Sequence, residues 1–82
     1  MNEANINRDI TASDEMTVVF ELSDGVEVEM LGEGSKWREG RVVSGEEPYG
    51  WGGKTYQGYL TADDVEFWLS RDYGHARIID AY

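Results

Sequence analysis

Residues 17–31 form two alternating segments on either side of Ser23-Asp24-Gly25, and their pairing constrains the fold more than any other feature of the chain. A two-residue Asp-Gly turn would set Glu21 opposite Val28 and Leu22 opposite Glu27, mixing charged and apolar side chains on both faces. A three-residue loop with Gly25 in the left-handed region instead sets Leu22 opposite Val26, Phe20 opposite Val28 and Val18 opposite Met30. One face is then wholly apolar. The other carries Val19, Glu21, Glu27, Glu29 and Leu31, with Glu21 directly across from Glu27. Like charges so placed cost about 0.2–1 kcal/mol, so this face is either well solvated or selected for another purpose.

The rest of the chain divides by its turn and cap residues. After the glycine-rich loop 32–35, Lys36–Ser44 reads as a third strand centred on Arg41-Val42-Val43. Residues 45–53 contain four glycines and the only proline, which makes them a long connection. Residues 54–60, rich in Thr and Tyr, read as a fourth strand. Thr61 is placed to cap a helix from Ala62 to Tyr73, with Asp63 and Asp64 in a first turn whose dipole favours carboxylates, and Gly74 as a left-handed terminator. Residues 77–81 make a short closing strand. On the helix, Ala62, Val65, Leu69 and Tyr73 share one stripe with Trp68 at its margin. Phe67 falls almost opposite, beside Asp63, Glu66 and Ser70. It is either a lone exposed aromatic, a cover for the open end of the sheet, or an anchor for a partner's pocket. The expected fold class is α+β: a small antiparallel β-sheet with one helix packed on it, in the order β-β-β-β-α-β, over residues 17–82. The polar segment 1–16 is expected to be weakly ordered.

Charge and composition exclude several functions. The 82 residues hold 17 Asp and Glu against 7 Lys and Arg, a net charge of −10, so DNA, RNA and anionic lipid are expected to be repelled. With no cysteine, there is neither a disulfide framework nor a thiolate metal site. Apolar runs of three residues or fewer predict no membrane span, and a cytoplasmic protein is expected. The run Gly52-Gly53-Lys54-Thr55 lacks the leading glycine of a phosphate loop, since Pro48 stands there. Asn5, Asn7 and Asp9 have calcium-loop spacing, but Ile10 and Met16 occupy the glycine and glutamate positions. The single histidine, His75, has neither a second histidine nor a cysteine to work with. No cofactor, no metal and no enzymatic activity are expected.

Two segments point to recognition. Tyr49, Trp51, Tyr56 and Tyr59 are interleaved with glycines, a composition suited to a binding surface. The competing reading folds Trp51 back as a plug for the end of the core. Lys36, Trp37, Arg38 and Arg41 form the sole basic cluster, beside Glu33 and Glu39. The spacing Trp37-x-x-Gly40-x-Val42, preceded by a Val-Glu-Val strand, resembles the second strand of Tudor-type and other SH3-like small barrels over about twenty residues. That resemblance implies an interaction module reading a peptide or modified side chain through Trp37, Tyr49, Trp51 and Tyr56.

The acidic residues are spread over the hairpin (Glu21, Glu27, Glu29), the loops (Glu33, Glu46, Glu47) and the helix start (Asp63, Asp64, Glu66). Such a field resembles that of a phosphate backbone, although solubility or salt adaptation also produces one. In size, charge, absence of cysteine and the strand-helix-strand ending, the chain is similar to the small acidic inhibitors of phages and mobile elements, including anti-CRISPR and anti-restriction proteins, several of which mimic DNA. This resemblance implies a non-enzymatic inhibitor acting in the host cytoplasm on a nucleic-acid-binding effector with a basic groove. Its expected contact residues are Glu21, Glu27, Glu29, Tyr49, Trp51, Asp63, Glu66 and Phe67.

Overall fold

A computed structural model of the chain describes residues 6–82. Five strands, β1 (Thr17–Leu22), β2 (Glu27–Glu33), β3 (Lys36–Ser44), β4 (Thr55–Gln57) and β5 (Ala76–Ala81), form one antiparallel sheet in the order β4-β3-β2-β1-β5. The helix α1 (Ala62–Tyr73) joins β4 to β5 and packs on β1 and β5. The α+β class and the order β-β-β-β-α-β are as expected from the sequence.

The first hairpin has the register that puts Val18 opposite Met30, Phe20 opposite Val28 and Glu21 opposite Glu27. The Leu22 N–H donates to the Val26 carbonyl at 2.7 Å. Asp24 joins Gly25 in the left-handed region, at φ of 62° and 75°. Asp is one of the few non-glycine residues that tolerate this conformation. The helix also follows its sequence signals. Thr61 Oγ1 accepts from Asp64 N at 3.2 Å, Asp64 Oδ2 accepts from Thr61 N at 3.0 Å, and Gly74 ends the helix in the left-handed region.

β4 is shorter than the 54–60 segment expected, because it pairs with β3 only through Lys36, Trp37 and Arg38. β3 in turn places two residues, Gly40 and Arg41, where β2 has only Glu29, forming a bulge. A Cβ on Gly40 would lie 2.1 Å from Leu31 Cδ1 and 2.9 Å from the Glu29 carbonyl oxygen, so glycine is what lets the two strands come together here.

The N-terminal segment departs from expectation. Residues 1–5 lie outside the described residues, but 6–16 are built into the fold. Ile10 and Ala12 are buried, Ala62 N donates to the Ile10 carbonyl at 2.8 Å, Asp63 N donates to the Arg8 carbonyl at 3.1 Å, and Thr11 bridges to Thr61. The reason is coverage. A helix is about 10 Å across and strands lie about 4.8 Å apart, so α1 shields only about two of the five strands. The 3₁₀ turn Ala12–Asp14 packs over β2 and β3, and a Cβ on Gly32 would meet the Ala12 carbonyl oxygen at 2.7 Å. The core gathers Phe20, Met30, Trp37, Leu69 and Ile78 between these layers.

Candidate functional site

The face of the first hairpin that points away from α1 is held by cross-strand pairs and is not a bare acidic plane. The register that sets Glu21 opposite Glu27 also sets it opposite Arg77 on β5. Glu21 Oε1 lies 3.3 Å from Arg77 Nη2 and 3.6 Å from His75 Nε2. The Arg77 cation offsets the repulsion between the two glutamates. Glu29 is only 8% exposed. It pairs with Arg41 at 3.4 Å across the β3 bulge and accepts the Tyr82 hydroxyl. That bond pushes the Tyr82 phenol above its ordinary pKa. Glu33 pairs with Arg38 at 2.6 Å. Glu29 therefore presents no free charge to a partner.

The helix carboxylates are also engaged. Asp63 pairs with Arg8 Nε at 2.9 Å, and Glu66 pairs with Arg8 Nη2 while its other oxygen accepts the Ile78 N–H at 2.8 Å. Trp51, expected as a surface anchor, is 2% exposed, with its indole N–H on the Gly40 carbonyl at 3.1 Å and its ring 6.4 Å from that of Tyr73. The bulge leaves the Gly40 carbonyl available, and the indole both satisfies it and closes that end of the core. Trp37 is fully buried and donates to the Leu60 carbonyl at 3.0 Å. The four aromatics of the Tudor-like reading thus do not converge on solvent. Two of them belong to the core, and Tyr56 donates its hydroxyl to Asp72.

The predicted contact residues that are neither buried nor held in an ion pair among the described residues are Glu27, Tyr49 and Phe67. Glu27, paired with Ser44 at the start of β2, and Tyr49, on the loop that follows β3, both lie toward the end of the sheet that carries the β1–β2 turn. Gly45 packs on Gly25 and Val26, which brings the start of loop 45–54 against the β1–β2 turn. Asp24, Glu46 and Glu47 come from these two segments and Glu27 from the first position of β2, and none pairs with a cation among the described residues. Beside them a notch of about 160 Å³ is lined by Leu22, Ser23, Val26, Pro48, Tyr49 and Tyr73. Ligand sites begin at about 300 Å³, so the notch is of a size for a single side chain.

Tyr49 is 98% exposed, yet its backbone is fixed, because the Tyr73 hydroxyl donates to its carbonyl at 3.0 Å. Trp51 N donates to the Pro48 carbonyl at 3.1 Å, and the Glu39 carboxylate accepts from Gly53 N. Loop 45–54 is further tied to the helix end. Lys54 Nζ lies 3.0 Å from Asp72 Oδ2 and 5.0 Å from the centre of the Tyr73 ring. Its hydrogen bond from Tyr56, then Lys54, holds the Asp72 carboxyl below its ordinary pKa. Burial, followed by the bond to Asp72, raises the Tyr56 phenol. Sequence reasoning placed Glu46 and Glu47 in loops but missed that their loop packs at Gly45 on the β1–β2 turn, and missed the anchoring roles of Tyr73 and Asp72. These depend on the β2–β3 register and on helix rotation, and no local motif encodes them.

Among the described residues no cluster of His, Asp and Glu is arranged to hold a metal ion, and no helix is long and apolar enough to cross a membrane. The chain matches no family model, no curated protein and no solved structure.

Proposed function

We propose that this chain is a non-enzymatic binding protein of the inhibitor type, and that it meets a basic groove on a nucleic-acid-binding effector complex with the acidic end formed by Asp24, Glu27, Glu46 and Glu47. The observation that carries this reading is the presence, toward one end of the sheet, of four carboxylates that form no ion pair among the described residues and of a fully exposed tyrosine on a pinned loop. Unpaired carboxylates cost nothing internally when a partner's Lys and Arg approach them, whereas Glu21, Glu29, Asp63 and Glu66 would first have to give up bonds within the fold. Tyr49 supplies contact area at low entropic cost, because its backbone is already ordered before binding. Trp51 takes no part in the contact and acts by supporting the loop. The contact is compact and local, in place of a charge field spread over the hairpin.

The test is capture from bacterial lysate on the immobilised full chain, followed by mass spectrometry. The reading expects a nucleic-acid-binding protein that is retained at 0.05 M salt, as a roughly chosen low value, and whose affinity falls on the order of tenfold as salt approaches about 0.3 M. Recovery of partners that bind equally well across that range, or of no nucleic-acid-binding protein, contradicts it.

A further inference from the structure

In a chain with 17 carboxylates and 7 cations, every cation is expected to find a carboxylate. Arg8, Arg38, Arg41, Lys54 and Arg77 do. Lys36 and Arg71 form no ion pair among the described residues, and both flank β4. Lys36 stands opposite Gln57 in the β3–β4 register. The Arg71 guanidinium lies 5.4 Å from the centre of the Trp68 ring.

Trp68 lines a groove between α1 and β4, together with Thr55, Tyr56, Gln57 and Leu60. Its volume of about 390 Å³ exceeds that of the Tyr49 notch, about 160 Å³, and reaches the range of ligand sites, ~300–1,000 Å³. Apolar surface continues from it onto the helix, where Phe67 (58% exposed) packs edge-on against Trp68 (39% exposed) at 5.6 Å. β4 ends the sheet, so one side of its backbone has no neighbouring strand among the described residues. The opposite edge is guarded, because Glu66 occupies the Ile78 N–H of β5 and is itself held by Arg8.

We infer that this groove receives an extended acidic segment of a partner protein. The segment adds beside β4, lays an apolar side chain against Trp68 and Leu60, and brings carboxylates to Arg71 and Lys36. An extended chain alternates its side chains between two faces, and the two cations are divided in the same way. Arg71 belongs to the helix side, while Lys36 precedes the inward-facing Trp37 and lies on the other face of the sheet. The charge complementarity is local, since these are the cations that form no ion pair among the described residues. This surface lies apart from the acidic end and does not rest on its use.

The test titrates the ¹⁵N-labelled full chain with a blocked peptide of roughly eight residues that alternates leucine and aspartate, long enough to span an edge strand. The matching leucine-lysine peptide and a single-stranded oligothymidylate serve as comparisons. Amide shifts are expected at Thr55, Tyr56 and Gln57 and at the Trp68 indole. The double variant Lys36→Gln with Arg71→Gln should weaken binding on the order of tenfold. Trp68→Ala should weaken it comparably while the melting temperature stays within a few degrees of wild type, as fits a partly exposed side chain. Stronger binding of the lysine peptide or the oligonucleotide, shifts confined to residues 24–27 and 46–49, or no shift at about millimolar peptide would overturn the inference.

Discussion

The indole N–H of Trp51 donates to the carbonyl of Gly40 at 3.1 Å, joining the long loop to the bulge in β3. Tyr49, two residues earlier, is held at its backbone and exposed at its side chain. The two aromatics should therefore separate cleanly. Trp51→Ala is expected to cost about 3–5 kcal/mol of stability. Tyr49→Ala should stay within about 0.5 kcal/mol of wild type and act on partner binding alone. Urea unfolding of both variants checks this, and comparable losses would mean that Tyr49 is structural.

The close approaches at Gly40 and Gly32 predict two costly methyl groups. Gly40→Ala drives a Cβ onto the Leu31 side chain and the Glu29 backbone, and Gly32→Ala drives one onto the Ala12 backbone. Each should destabilise by roughly 1–3 kcal/mol. Loss of amide protection in residues 10–14 is expected for Gly32→Ala and not for Gly40→Ala. Hydrogen exchange distinguishes them.

Asp72, Tyr56 and Lys54 predict how stability changes with pH. A carboxyl whose folded pKa lies below its unfolded value contributes stability that is complete above the unfolded value, 3.8 for Asp72, and lost as pH falls through the folded one. A phenol whose folded pKa is raised contributes stability that is complete below its unfolded value, 10.0 for Tyr56, and lost as pH rises through the folded one. The cluster should thus contribute a constant amount between about pH 5 and 9 and decline on both sides. Because Asp72 is well exposed, that contribution is about 1 kcal/mol. The stability difference between wild type and Asp72→Asn, followed by denaturant titration, should shrink below pH 3.8, and Tyr56→Phe should lessen the alkaline decline, the remainder coming from Lys54, Tyr73 and Tyr82.

Glu66 and Glu47 offer a contrast between carboxylates. Glu66→Ala leaves the Ile78 N–H without its acceptor and Arg8 with Asp63 alone, which costs about 1–3 kcal/mol. Glu47→Ala removes an exposed charge and should change stability by less than about 0.5 kcal/mol. Thermal melts of the two variants check the difference.

Much of this fold could be read from the sequence where the determinants are local. The Val18, Phe20 and Leu22 alternation selects one hairpin register, and Thr61, Asp64 and Gly74 mark both ends of the helix within a few residues of chain. The N-terminal segment could not be read in the same way. Ile10 and Ala12 are two apolar residues in a polar stretch, and they are buried because one helix leaves β2 and β3 uncovered. Trp51 lies among glycines that impose no periodicity, so its burial follows from the bulge at Gly40. Charge misled most. Glu29 counts as exposed by its place on the outer face of the hairpin, yet Arg41 reaches it from β3 and Tyr82 from just past the end of β5. Composition records how many carboxylates there are; only the register decides which ones are left unpaired.

That division between paired and unpaired carboxylates is the central claim, and it is tested most directly by measuring how tightly the captured partner binds two variants. One neutralises the acidic end, with Glu27→Gln, Glu46→Gln and Glu47→Gln combined; the other is Glu21→Gln, on the paired face. At one fixed salt concentration, the triple variant should bind on the order of tenfold more weakly, and the Glu21 variant within about twofold of wild type. If Glu21→Gln weakens binding as much as the triple variant, or the triple variant binds like wild type, the contact does not lie at the acidic end.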